Sequence, residues 1–482
     1  MNTTRHAVWR IPFSLCAVSL AVMLGGCAAV GPNYEPPEPK VASAWQAPLP
    51  HGGQVTALGD WWRQFDDPVL TGLQRSAEAD SPTLAKAWAN IEKARATLTS
   101  AGASSLPAVT AQASATRGTQ QTGEVATARS AGLDASWEID LFGKIRRSTE
   151  SAQARAQARE NDWHDARISL AAEVADTYVQ YRACGLLADA YAQELASVGQ
   201  TVKATESLVR AGMSPSSDGS LARASQASTM SSTLAQRAQC ELLVKSLVDL
   251  TGLDESELRN RLAQGKSSIP QPIAIDIRSV PAQALRQRPD LASVERELAA
   301  ASAEIGVAQA DLYPSISLSG SISVSTVGTA SSLTSWSFGP SLSLPLFDGG
   351  KRRAAVDSAW AGYQAALADW RQGVRTAVKE VEQSMVRLDS TASRTAQAEI
   401  ATKEYRLHLV AAEAQWRAGS TSLLDLEDSR RQALSAQIEW IGLQRDRVAY
   451  WIALYKALGG GWQFNAPALP PADVDSHPKT SP

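Results

Sequence analysis

Side chains able to do acid–base, metal or nucleophilic chemistry are few and badly spaced for it. The five histidines stand at positions 6, 51, 164, 408 and 477, and none belongs to an H-E-x-x-H zinc site. No G-x-S-x-G elbow, no G-x-x-x-x-G-K-[ST] phosphate loop and no C-x-x-C pair occurs. Phe347-Asp348-Gly349-Gly350 is glycine-rich, but it lacks the lysine and sits where a strand pattern passes into a helix pattern. Carboxylate pairs mostly have the spacing of solvated helix faces. The chain is therefore expected to be no enzyme, to hold no metal and to use no cofactor. The remaining chemistry rests with Cys16, Cys27, Cys184 and Cys240. Cys184 lies 28 residues before Gly212 and Cys240 lies 28 after it. In a helical hairpin turning at Gly212 the two stand at similar height, and a disulfide between them is expected in an oxidising compartment. Free thiols are the alternative.

Charge is nearly balanced, with 46 Lys+Arg against 49 Asp+Glu, which argues against a nucleic-acid partner. The N-terminus is more specific. Arg5 and Arg10 flank the start of an uncharged apolar stretch, Ile11 to Leu24, and Leu24-Gly25-Gly26-Cys27 follows. The stretch is short for a membrane span and reads as a signal peptide, residues 1–26. Small residues before a cysteine resemble a bacterial lipobox, which makes Cys27 the lipidated first residue of the mature chain. Ala28 follows it, so no aspartate there argues for retention in the inner membrane. Beyond Cys27 no apolar run is long enough for a membrane helix, so any crossing must be made by strands.

The elements that position these residues occur twice, 207 residues apart. Pro82-Thr83-Leu84 returns as Pro289-Asp290-Leu291, and Glu173-Val174 as Glu380-Val381. Pro107 returns as Pro314, Gly132 as Gly339, Arg210-Ala211-Gly212 as Arg417-Ala418-Gly419, and Asp218 as Asp425. Landmark residues holding one register over more than a hundred positions define two copies of one unit, 68–260 and 287–459. The segments 27–67, 261–286 and 460–482 lie outside them.

Each copy reads helix, two strands, helical hairpin. Along Ser315–Ser325 every second residue is serine, and the positions between are apolar or glycine, among them Ile316, Leu318, Ile322 and Val324. Ser335, Ser337, Ser341 and Ser343 alternate with Trp336, Phe338, Leu342 and Leu344. In the first copy Thr110, Gln112, Ser114 and Thr116 alternate with Val109 and alanines, and Leu133, Ala135, Trp137 and Ile139 with Asp134, Ser136, Glu138 and Asp140. This is strand periodicity. It predicts strands over about 107–118, 129–140, 314–326 and 335–345. A soluble sandwich with one wet face has the same alternation, but in an exported, lipid-anchored chain strands of this length fit a membrane barrel with an aqueous lumen. Four strands cannot close a barrel, because about eight is the minimum, so the chain is expected to oligomerise. The hairpins are predicted over 148–250 and 351–458, with Pro215 in the first turn of a returning helix. Residues 148–211 contain no proline and extend about 96 Å if helical.

Four segments carry a family resemblance: Trp61-Trp62-Arg63-Gln64-Phe65-Asp66-Asp67-Pro68, Arg288-Pro289-Asp290-Leu291, Pro345-Leu346-Phe347-Asp348-Gly349-Gly350 and Leu454-Tyr455-Lys456-Ala457-Leu458-Gly459-Gly460-Gly461-Trp462. They look like those of the TolC-like outer membrane factor family, nearest to its lipoprotein branch in resistance-nodulation-division efflux systems. Val30-Gly31-Pro32-Asn33-Tyr34 resembles that branch too. The resemblance implies a mainly α, internally duplicated chain, three copies of which form a transmembrane β-barrel of four strands each, continued by a periplasmic α-helical barrel with a mixed equatorial domain. It implies an outer-membrane location, a periplasmic adaptor, an inner-membrane RND transporter, and passive export of drugs or other toxic compounds. Type I protein secretion, metal-ion efflux and a non-pore lipid-anchored scaffold are the alternatives. The cargo is not legible.

Both hairpin turns carry Arg-Ala-Gly. Glycine where a long helix stops is ordinary C-cap chemistry. The resemblance adds that Arg210, Gly212, Met213, Arg417, Gly419 and Ser420 meet the adaptor. It also places the periplasmic gate on Leu424 and Asp428, with Asp425 nearby, as a ring of leucines above a ring of carboxylates. Asp425 has a second reading, as a charge in the first turn of the returning helix. The first turn, Ser214-Pro215-Ser216-Ser217-Asp218-Gly219-Ser220, is more polar and is expected to form no apolar gate.

Overall fold

A computed structural model of the chain describes residues 29–39, 41–42, 45–47, 61–119, 123–265, 267–272 and 285–460. Cys27, the signal segment and the tail beyond Gly460 lie outside the described residues, as does much of the expected equatorial region. In chain order there follow a 3-10 turn Trp61–Phe65, α1 Pro68–Ala79, α2 Pro82–Ala103, β1 Ala108–Thr119, β2 Val125–Ile139, α3 Lys144–Arg210, α4 Ser216–Thr251, α5 Glu255–Ala263, α6 Pro289–Ala310, β3 Ser315–Val327, β4 Leu333–Ser343, α7 Lys351–Arg417 and α8 Leu423–Ala457. The duplication is visible in these bounds: α2, β1, α3 and α4 begin 207 residues before α6, β3, α7 and α8. The described residues fall into two compact units, one drawing on those within Met1–Glu38, Asn90–Arg159 and Ser293–Arg371, the other on those within Pro39–Ala89, Glu160–Ala292 and Gln372–Pro482.

The first unit holds one antiparallel sheet in the order β1-β2-β3-β4, so the two repeats meet edge to edge at β2 and β3. β2 starts at Val125, earlier than the alternation predicts, because Val125–Ala128 continue the ladder opposite Thr119–Thr116. α3 starts at Lys144 rather than 148: the Asp140 carboxylate accepts from the Ile145 and Arg146 N–H groups at 3.1 and 2.9 Å. Asp348 does the same for α7, accepting from the N–H groups of Gly350 and Arg352 at 3.0 and 3.2 Å. The Phe347–Gly350 segment is thus a helix cap. Buried Arg147 donates to the Val30 carbonyl at 3.2 Å and to Asn33 Oδ1 at 2.8 Å, which fixes the Val30–Tyr34 stretch.

In the second unit α3 buries Ala171, Val174, Ala175 and Tyr178, the spacing of one helix face. Arg288 of the Arg-Pro-Asp-Leu motif is buried and pairs with Asp290 at 2.7 Å and Glu380 at 2.9 Å, and donates to the Ala457 carbonyl at 3.0 Å. It ties the start of α6 to α7 and to the end of α8. Trp61 stacks on Tyr455 with ring centres 5.1 Å apart. Cys184 and Cys240 are joined by a disulfide between α3 and α4, with Cα atoms 5.6 Å apart. Pro215 stands one residue outside α4 as its N-cap, with φ −69° and ψ 154°. Its extended ψ leaves it outside the first turn.

Candidate functional site

Two places carry the residues singled out by type and spacing: the sheet and the hairpin ends. In the sheet the register brings like parities together. Ser317, Ser321 and Ser323 of β3 face Ser341, Ser337 and Ser335 of β4, and on their other side Glu138, Asp134 and Gly132 of β2. Hydroxyls bond across the strands at Ser321–Ser337 and Ser323–Ser335, both 2.9 Å, and at Ser114–Ser130, 2.8 Å. Gln112 donates to Asp134. One face is therefore a hydroxyl ladder with two carboxylates, as a water-filled lumen requires. The other face carries Ile322 opposite Trp336 and Ile316 opposite Leu342. Trp336 is 77% and Phe338 70% exposed, so none of the described residues covers that face. Among the described residues no helix is long and apolar enough to cross a membrane.

The hairpin ends share one hydrogen-bond pattern. At the first, Met213 N–H donates to the Leu208 carbonyl at 2.8 Å and Gly212 N–H to Val209 at 3.0 Å. At the second, Ser420 N–H donates to Gln415 and Gly419 N–H to Trp416, both at 2.9 Å. These are Schellman caps, and both glycines take the left-handed conformation at φ 69° and 72°. Arg210, Met213, Arg417 and Ser420 are exposed around them.

The returning helices start differently. Pro215 offers α4 no side-chain cap, whereas α8 opens on a capping box. Ser422 Oγ accepts from Asp425 N–H at 3.1 Å, and Asp425 Oδ2 accepts from Ser422 N–H at 3.3 Å, Ser422 Oγ at 2.6 Å and Thr421 Oγ1 at 3.1 Å. The Ser422 and Thr421 bonds hold the Asp425 carboxyl below the usual carboxylate range. Asp425 is thus occupied as a helix cap. Leu423 and Leu426 are buried with Val198, Val202, Ala222 and Ala412, which leaves Leu424 outward at 65% exposure. Leu424 and Asp428 share one face of α8, four residues apart, and both line an open groove of about 840 Å³ together with Ser225 and Arg431. Asp428 pairs with Arg431 and accepts from Gln432 Nε2 at 2.7 Å.

Sequence reasoning missed the residue that binds the two hairpins. Arg430 is buried and donates to Glu427 Oε1 at 2.8 Å, Thr201 Oγ1 at 2.8 Å and Glu413 Oε1 at 3.4 Å. Glu427 also accepts from Ser225 Oγ at 2.5 Å, and Glu413 from Ser197 Oγ at 3.2 Å. One guanidinium thereby connects α3, α4, α7 and α8. Burial, with Glu427 and Glu413 adding to it, raises the nearby Glu194 carboxyl, and Arg430 opposes the rise. The only sequence signal was an arginine three residues after a glutamate, common on any helix.

A family model described as outer membrane efflux protein matches residues 73–253 and 280–460, one match for each repeat. The chain belongs to the outer membrane efflux protein family. It is similar to nodulation protein T of Rhizobium leguminosarum bv. trifolii, 32% identical over 92% of this chain and 96% of that one. It is also similar to the toluene efflux pump outer membrane protein TtgI of Pseudomonas putida, 31% identical over 92% and 97%. The CmeC outer membrane channel of Campylobacter jejuni has the same fold, with a TM-score of 0.82 at 23% identity over 90% and 96% of the two chains. The TolC-like channel fold, the outer-membrane location and the role of efflux component come with the family. The hydroxyl face of the sheet is the part of this efflux protein that suits a water-filled passage.

Proposed function

We propose that three copies of the chain assemble into a passive outer-membrane duct for small toxic compounds, anchored by lipid on Cys27 and opened at its periplasmic end. The observation that carries this reading is the four-stranded sheet with a hydroxyl face and, among the described residues, an uncovered apolar face and two free edges. Hydrocarbon tolerates no free sheet edge, so the sheet must join others to cross it. Relatives whose names refer to toluene and solvent efflux support an apolar cargo. A periplasmic adaptor and an inner-membrane RND transporter are the partners, and the exposed ends around Arg210, Gly212, Met213, Arg417, Gly419 and Ser420 are where the adaptor docks.

The gate is Leu424 with Asp428. Three outward leucines narrow a pore to a segment that sheds water, and carboxylates one turn on disfavour anions. Asp425 contributes through the cap that holds the first turn of α8. Single-channel conductance of the lipidated protein, beside Leu424→Ala/Asp428→Ala, tests the reading. Low conductance in the wild type with larger, steadier openings in the variant is expected. Inserted trimers of both proteins that conduct nothing would overturn the duct.

A further inference from the structure

The apolar side of the sheet ends at two arginines. The parity that carries Leu133 and Trp137 on β2 also carries Arg129, and the matching parity of β1 carries Arg117. The rung Leu133–Ile322–Trp336 is wholly apolar. Two rungs nearer the hairpin turns Arg129 lies beside Thr326, and on the next Arg117 faces Thr127. Ala115 is opposite Arg129, so the arginines are diagonal neighbours, with Cα atoms roughly 7–8 Å apart. Both side chains are exposed, and neither has an ion pair or hydrogen bond among the described residues. The two acids nearest Arg129 in sequence are Glu124, in the turn before β2, and Asp134, which lies on the other face of the sheet.

Ala131–Ile139, the β2 stretch below Arg129, is nine residues long, about what one tilted membrane-crossing strand needs. Its far end leads into α3, so the arginines stand at the end away from the helices. On the duct reading, that end meets the outer leaflet of the outer membrane at headgroup level. Two guanidinia on adjacent strands, with threonine hydroxyls beside them, match the geometry of a phosphate ester. The outer leaflet presents such phosphates on lipid A. We propose that Arg117 and Arg129 form, on the outward side of each sheet, a binding site for a lipid A phosphate.

This site rests on the barrel reading, and the test separates the two. The full-length lipidated protein in detergent is titrated with bisphosphorylated lipid A, with fully dephosphorylated lipid A and with phosphatidylglycerol, and bound lipids are counted by native mass spectrometry. Up to three lipid A molecules per trimer are expected, with binding about tenfold weaker for the dephosphorylated lipid and for Arg117→Ser/Arg129→Ser. Wild-type protein that binds both forms of lipid A equally overturns the site, and this arm needs no variant. Phosphatidylglycerol bound as tightly as lipid A overturns lipid A as the source of the phosphate. A folded variant that keeps wild-type affinity overturns the role of the arginines. Conductance of the same preparation reports separately on the duct: a pore whose lipid binding ignores phosphate removes only this site.

Discussion

Replacing Arg430 by methionine should loosen the two hairpins from each other. The guanidinium is 4% exposed and bonded at 2.8 Å to Glu427 and to Thr201, with Glu413 at 3.4 Å. Removing one partner of a buried ion pair costs about 3–5 kcal/mol, because the other charge stays behind. Glu427 and Glu413 are 15% and 24% exposed, so water reaches them and about 3 kcal/mol is the fitting figure. That is a rise of roughly a hundredfold in local opening. Hydrogen exchange of the assembled protein at pH 7 reads it directly, in peptides from Glu194–Thr205 and Leu423–Gln432, with the strands as internal control. Wild type and variant are compared at each pH, so intrinsic exchange rates cancel. Glu194 already has a raised carboxyl, and loss of Arg430 raises it further. A group of that kind binds more protons in the folded state, so stability grows as pH falls. The gap between variant and wild type should therefore narrow at pH 5, and Arg430→Met/Glu427→Gln should narrow it at pH 7. Exchange within about threefold of wild type in both peptides would refute the role given to Arg430.

The remaining expectations are smaller. Asp165 is raised to about 6 by burial first and the nearby Asp290 charge second, against Lys456 and Arg288. Its ionised form opposes folding at neutral pH, so Asp165→Asn should stabilise by up to about 3 kcal/mol at pH 7 and by nothing below about pH 4, read from melting across that range. Ser422→Ala removes the reciprocal cap of α8 and should cost about 1 kcal/mol; unchanged exchange over the first turn of α8 would count against it. Thiol titration of the denatured, unreduced mature protein should find no free group at Cys184 or Cys240, and two would reject the bond. Reduction should cost about 4 kcal/mol by the loop-entropy relation for a separation of 56 residues, read as a lower denaturation midpoint.

What the sequence revealed was what repeats or alternates. Serine at every second position of β3 predicted which face is wet, and the hydroxyl bonds run along that face. The 207-residue register predicted the turns at Gly212 and Gly419, because a left-handed cap needs a particular residue at a particular place. The start of β2 was not legible. Val125–Ala128 lack the alternation of large and polar side chains, and only their partners across the ladder make them strand. Nor was the Arg430 site, whose partner Thr201 lies 229 residues away. Local spacing carries no information on such a contact. Leu423 and Leu424 look alike in the sequence, and only packing against Val198 and Val202 decides which of them turns outward.

The pairing of β2 with β3 constrains the order in which the chain can fold. Ile139 meets Ile316 and Ala128 meets Val327, so this central ladder joins residues 177 to 199 positions apart. Between them lies the α3–α4 hairpin, whose contacts are comparatively local and which can form first. β1 and β2 precede β3 in the chain by more than 170 residues. Without β3 and β4 they can offer only a two-stranded ribbon with one apolar side bare, too small to be stable alone. The sheet is thus expected to be completed late in folding, after the more local contacts of the hairpin bonded at Cys184–Cys240. Contact between β1–β2 ribbons of different chains before β3 and β4 join them is the aggregation hazard built into this topology.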